Sequence, residues 1–159
     1  MAADFLSNLL ADLGRALKMT LTPDQNNSCL LNMADGIKVQ MEMAPNKKNF
    51  IIGCKIGEVP IGPFRENVFR EALRSNGTRP PHAGTFAFSE KKDCLILMRM
   101  MPVEGLTGDK ISDALKPFVE KATRWQSEIH QGRVPDGTEG DDNRGGGGSS
   151  SGNIFGLMR

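Results

Sequence analysis

Tyrosine is absent from this sequence, and aromatics together make up only 6% of it: one Trp and eight Phe. So few rings leave no platform on which successive bases of a single-stranded nucleic acid could stack. Charge of one sign is missing too. Twenty Lys and Arg meet nineteen Asp and Glu, and the net charge of +1 gives no field that would gather a polyanion or an acidic membrane. The basic pairs Lys47-Lys48 and Lys91-Lys92 sit in turn-like stretches, where lysine serves solubility. Nucleic acid is therefore not an expected partner. Cysteines number three and no two stand in CxxC spacing, which excludes the common zinc and dithiol motifs. The odd count, with Cys29, Cys54 and Cys94 each inside an apolar run, predicts buried free thiols in a reducing compartment. No apolar run approaches the length that crosses a bilayer, and the opening "MAADFLSNLL" lacks the basic and apolar regions of a signal peptide. These absences predict a cytoplasmic protein without membrane insertion.

Catalytic chemistry is equally thin. GxSxG, HExxH and GxGxxG do not occur, and the glycine run at 145–148 lacks the GK[ST] ending of a phosphate loop. Of the two histidines, His82 falls in the turn "RPPHAG". His130 falls at a helix end, where an imidazolium suits the dipole. Glu66 and Glu71 lie on a solvated helix face, and Asp141 and Asp142 lie where nothing fixes their geometry. The expectation is a protein that is not an enzyme and carries no cofactor and no metal.

What is present is a chain of 159 residues, 38% hydrophobic, sufficient for one domain with its own core. Residues 4–19 place Phe5, Leu6, Leu9, Leu10, Leu13 and Leu17 at helical spacing, with Asp4 in capping position and Gly14 either weakening the helix or permitting close packing. "SCLLNMADGIKVQMEM" reads as a hairpin across Asp35-Gly36, its second strand facing Ile37, Val39, Met41 and Met43 to one side. "FIIGCKIG" is a third strand with Phe50, Ile52, Cys54 and Ile56 on one face. A short helix starts at Pro63, a residue suited to the first helical position, and stops before Gly77. "TFAFS" and "CLILMRMM" form a second hairpin. The last helix, near 109–131, has the cleanest apolar stripe, from Ile111 through Trp125 to Ile129, with Pro117 expected to kink or delay it. The order α-β-β-β-α-β-β-α predicts an α+β domain over residues 1–133, with a mostly antiparallel five-stranded sheet and three helices. Residues 134–159 read as a Gly/Ser-rich disordered tail, whose "NIFGLM" is either idle or a short docking segment.

One strand does not fit a half-buried sheet. "DCLILMRMM" is apolar on both faces, with Cys94, Ile96, Met98 and Met100 on one side and Leu95, Leu97, Arg99 and Met101 on the other. If the chain's own helices cover the first face, the second needs either a second copy or another helix over it, because an open apolar face favours aggregation. The short helix, apolar at Phe64, Val68, Phe69, Ala72 and Leu73, can join such a contact. Nine methionines are either core filler or a pliable surface for varied partners. A dimer with apolar patches and no catalytic groups suits an extended polypeptide, which can add a strand to a sheet edge and set side chains into pockets.

The segments "NNSCLLNMADGIKVQMEM", "REALRSN", "DCLILMRMMPVEGL" and "LKPFVEKATRW", in this order and at this length, resemble the class I type III secretion chaperones of the Tir-chaperone (CesT-like) family over about residues 4–131. The resemblance implies a small bacterial cytoplasmic homodimer without nucleotide. It would bind the N-terminal chaperone-binding region of secreted effector proteins in extended form and keep it secretion-competent. It also implies the secretion apparatus ATPase or a related chaperone as further partners. Carried onto this chain, Leu9, Leu13, Leu31, Met33, Met41 and Met43 would bind the client, and Phe69, Leu73, Leu95 and Leu97 would form the dimer interface. Pro117 departs from the pattern and leaves the start of the last helix open. The alternatives are a small-ligand-binding α+β domain, which a ligand would stabilise by mass action, and a regulatory adaptor acting through residues 134–159.

Overall fold

The computed structural model describes residues 2–33 and 36–138, a chain of three helices and five strands. Helix α1 spans Ala2–Leu17, followed by strands β1 (Ser28–Asn32), β2 (Lys38–Met43) and β3 (Asn49–Gly57). Helix α2 (Pro63–Asn76), strands β4 (Thr85–Ser89) and β5 (Cys94–Pro102), and helix α3 (Gly108–His130) complete it. The sheet runs β1-β2-β3-β5-β4 with every neighbouring pair antiparallel. This is the predicted α+β order, element for element. Ala34 and Asp35 of the first expected turn lie outside the described residues, but Met33 and Ile37 are hydrogen-bonded across it.

The alternation of β2 and β3 sets the inner face of the sheet. Val39, Met41, Phe50, Ile52, Cys54 and Ile56 are all buried there, in one core with Leu6, Leu10 and Leu13 of α1 and Ile111, Leu115, Phe118 and Trp125 of α3. Register carries the same face onto β5, since Cys54 stands opposite Leu97 and Phe50 opposite Met101. Trp125 is fully buried and packs 4.0 Å, centroid to centroid, from Phe86 of β4.

Polar contacts fix how the helices meet. An Asp12 carboxylate oxygen on α1 accepts from the Gly108 N–H at 2.6 Å, so α1 caps the start of α3. The Thr107 hydroxyl accepts from the Lys110 N–H at the same helix start, where the first amides have no partner within the helix. Pro117 sits inside α3 and does not delay it. Gly14 permits close packing rather than merely weakening α1: a Cβ there would come within 2.5 Å of the Met19 carbonyl oxygen, where the chain turns back over the helix. Helix α2 begins at Pro63, and the Gly77 N–H closes its end on the Leu73 and Arg74 carbonyls. Past α3, residues 134–138 remain against the domain, with Pro135 and Gly137 buried. The rest of the expected disordered tail, from residue 139, lies outside the described residues.

Candidate functional site

The six residues expected to hold a client converge on one region, the inner face of β1 and β2 with α1, but differ in access. Leu9, Leu13, Leu31 and Met41 are buried in the core, whereas Met33 and Met43 are half-buried at its margin. The accessible apolar groups nearby are Leu30, 54% exposed on the outer face of β1, and Met19 just past α1, neither of which periodicity singled out, together with Phe5 from the expected stripe of α1. Among the described residues β1 forms one edge of the sheet, paired only with β2. At its start, the Asp24 carboxylate accepts from the Asn26 and Ser28 N–H groups and the Ser28 hydroxyl. The Ser28 and Asn26 amides hold the Asp24 carboxyl below its usual range.

The opposite edge, β4, is partly closed. The Asn76 side chain donates to the Phe86 carbonyl at 2.9 Å and accepts from the Phe86 N–H at 2.8 Å, matching the donor and acceptor that another strand would offer. Around it, Phe69 of α2 packs tilted on Phe88, with ring centroids 5.2 Å apart. The Arg65 guanidinium lies over both rings while it donates to the Val59 carbonyl and pairs with Asp93. Leu73, on the same helix, is 70% exposed.

β5 corrects one expectation. Leu95 and Leu97, expected at a dimer interface, are 2% and 0% exposed and belong to the chain's own core. Arg99 lies on the same inward side, opposite Ile52. The outward side carries Ile96 and Met98, both half-buried, and Met100, 50% exposed. A strand apolar on both faces does not announce which face is inward; pairing with β3 decides it. Of the four expected dimer residues, Phe69 and Leu73 remain near the surface.

The described residues offer little reactive chemistry. Burial pushes the Cys54 thiol up to about 11, and burial together with the Asp24 charge raises Cys29, so neither is a thiolate near neutral pH. All three cysteines are free and buried. The His82 ring contacts the Thr78 carbonyl at 2.8 Å within its own loop. No group of three His, Cys, Asp or Glu among the described residues could hold a metal. An open groove of about 610 Å³ beside the end of α1 has Arg15 and Lys18 as its charged lining, both exposed. No helix among the described residues is long and apolar enough to cross a membrane.

Residues 8–126 match the Tir chaperone protein (CesT) family, which covers the whole sheet, α2 and most of α1 and α3. The chain belongs to that family. The solved structures agree on the fold. A chain of the HopA1-SchA chaperone-effector complex superposes with a TM-score of 0.60 at 15% identity, over 80% of this chain and 97% of that one. The Yersinia pestis type III secretion chaperone SycH in complex with a stable fragment of YscM2 gives 0.60 at 16% identity, over 74% and 96%. The ExoT-SpcS complex from Pseudomonas aeruginosa gives 0.59 at 13% identity, over 74% and 94%. No curated protein matches the chain by sequence. The family match makes this protein a member of the Tir chaperone group, and the solved structures add agreement on the fold.

Proposed function

We propose that this chaperone binds the N-terminal chaperone-binding segment of a secreted effector, holds it extended, and keeps it soluble and ready for export. The family match over residues 8–126 carries this reading. The open edge at β1 and the accessible Leu30, Met33, Met43 and Phe5 give it a physical basis. An extended segment adds main-chain hydrogen bonds to a free strand edge and specificity through alternate side chains. Leu9, Leu13, Leu31 and Met41 lie beneath that surface and would act by shaping it, or by becoming exposed as the client seats.

The working form is a homodimer. Its contact uses Leu73 and Phe69 on α2 and the outward Ile96, Met98 and Met100 of β5, with Leu95 and Leu97 supporting that surface from inside the core. The protein works in the bacterial cytoplasm, catalyses no reaction, and meets the secretion apparatus ATPase or a related chaperone once loaded.

The test is binding of N-terminal segments from the effectors of the same bacterium, measured by calorimetry and limited proteolysis. One or more should bind with a Kd at or below about 1 μM and become protease-resistant in the complex. Leu30→Asp should weaken that binding at least about tenfold without lowering the melting temperature appreciably, because an exposed side chain contributes little to folding. If no segment binds at micromolar concentration, the proposal fails.

A further inference from the structure

The chain does not leave the domain where α3 ends. The Arg133 N–H donates to the Glu128 carbonyl at 2.8 Å, and its guanidinium grips the Glu128 carboxylate with two bonds of 2.9 and 2.8 Å. The backbone then runs into the space between α3 and α2. Arg124 of α3 donates to the Asp136 carbonyl at 3.0 Å, and Glu71 of α2 accepts from the Gly137 N–H at 2.9 Å. The Asp136 carboxylate accepts from both the N–H and the hydroxyl of Thr138, closing the segment into a turn. The fit at Gly137 is tight: a Cβ there would collide with the Glu71 carbonyl oxygen and stand 3.1 Å from the Ser75 nitrogen. Only a residue without a side chain lets the two backbones approach this closely.

Helix α2 needs such support. Of its fourteen residues only Val68, Ala72 and Ser75 are buried, and its N-cap, Gly62, makes no side-chain capping bond. A helix of this length is marginal on its own in water, so its stability comes from tertiary contacts. Besides the buried Val68 and Ala72 and the packing of Phe69 on Phe88, these are, at its N-terminal half, the Arg65 bonds to Val59 and Asp93. At its C-terminal half they are the Asn76 bonds to β4 and the bond that Glu71 accepts from Gly137. Glu71 also accepts from Arg74.

We propose that residues 133–138 are a latch that ties α2 to α3 and sets the local stability of α2. Building on the second-copy reading above, the latch thereby governs how well ordered the α2 surface bearing Phe69 and Leu73 is when a partner arrives. The latch is a property of the single chain and stands whether or not that reading holds.

Hydrogen exchange followed by mass spectrometry, on the full-length protein, tests it. Gly137→Val should expel the segment. The amides of Val68–Asn76 should then exchange at least about tenfold faster, while those of β3 and α3 keep their rates. Glu71→Ala removes the acceptor without steric conflict and should accelerate the same amides by a smaller factor, which keeps the test open if Gly137→Val does not fold. Unchanged rates in α2, or equal acceleration throughout the chain, would overturn the proposal. Light scattering on the same samples separates the two readings. Faster α2 exchange in a protein that is monomeric throughout keeps the latch and rejects the second copy; a stable dimer with unchanged α2 exchange does the reverse.

Discussion

Asp12 shows how much of this fold rests on single polar side chains. One carboxylate accepts from Gly108, ninety-six positions away, and from Arg15 on its own helix. It sits at the start of α3, where the helix dipole favours negative charge. The Gly108 amide first, and Arg15 after it, hold the Asp12 carboxyl below its ordinary value of 3.8. A folded-state pKa lowered in this way contributes stability that is complete above the unfolded value and lost as the pH falls through the folded one. Asp12→Ala should therefore lower the melting temperature at neutral pH, and the gap to the wild type should close as the pH falls below the ordinary value of 3.8 and through the lowered folded-state one. A gap that stayed constant across a pH series would mean that the contact acts only through packing. None of this was visible in the sequence, where Asp12 reads as one more polar residue on an exposed helix face. Trp125 and Phe50 were visible, because large apolar side chains at the right period have few places to go other than the core. Asn76 and Gly137 were not, since their roles depend on a neighbour brought close only by the tertiary fold.

At the scale of the element, β5 separates what pattern can tell from what pairing must decide. Its existence and length were legible from the apolar run between a charged turn and Pro102. Its orientation was not, because Leu95 and Leu97 on one side and Ile96 and Met98 on the other are equally apolar. The information lay in β3, whose alternation is clean; antiparallel pairing passes that inward face to Leu97 and Met101. The difference is measurable. Leu97→Ala leaves a cavity in a closed core and should cost about 2–5 kcal/mol in denaturant unfolding. Met100→Ala, on the outward side, should stay within about 0.5 kcal/mol of the wild type at concentrations low enough that the protein is a single chain. Equal costs would mean that both faces are covered within one chain. Helix α2 was legible at both ends, from Pro63 to Gly77, because those residues act locally. Its weak seating was not, since Phe64, Val68 and Phe69 read as a stronger apolar side than the helix buries.

For the whole molecule, the order of elements followed from sequence because each is marked by its own period and its own turn residues. How the layers stack is a matter of what remains uncovered. One chain places α1 and α3 over the inner face and leaves Leu30, Leu73 and Met100 in contact with solvent. A specific interface needs roughly 1,200–2,000 Å² in total, with a central apolar patch. A twofold contact reuses the same patch on both copies, so in the proposed dimer one set of residues on α2 and β5 would serve twice. Light scattering at low micromolar concentration should give a mass near twice 17.3 kDa. The pair Leu73→Asp and Met100→Asp should return it to the single-chain value, because two carboxylates from each copy would then be buried without partners in the same contact. Both side chains are exposed in the single chain, so the doubly substituted protein should unfold within about 1 kcal/mol of the wild type once the dimer's own contribution is allowed for by measuring at several concentrations. A wild-type mass of one chain would reject the second copy. The outward face of β5 would then be left for the client itself, and Met100→Asp should weaken effector binding in place of dimerisation.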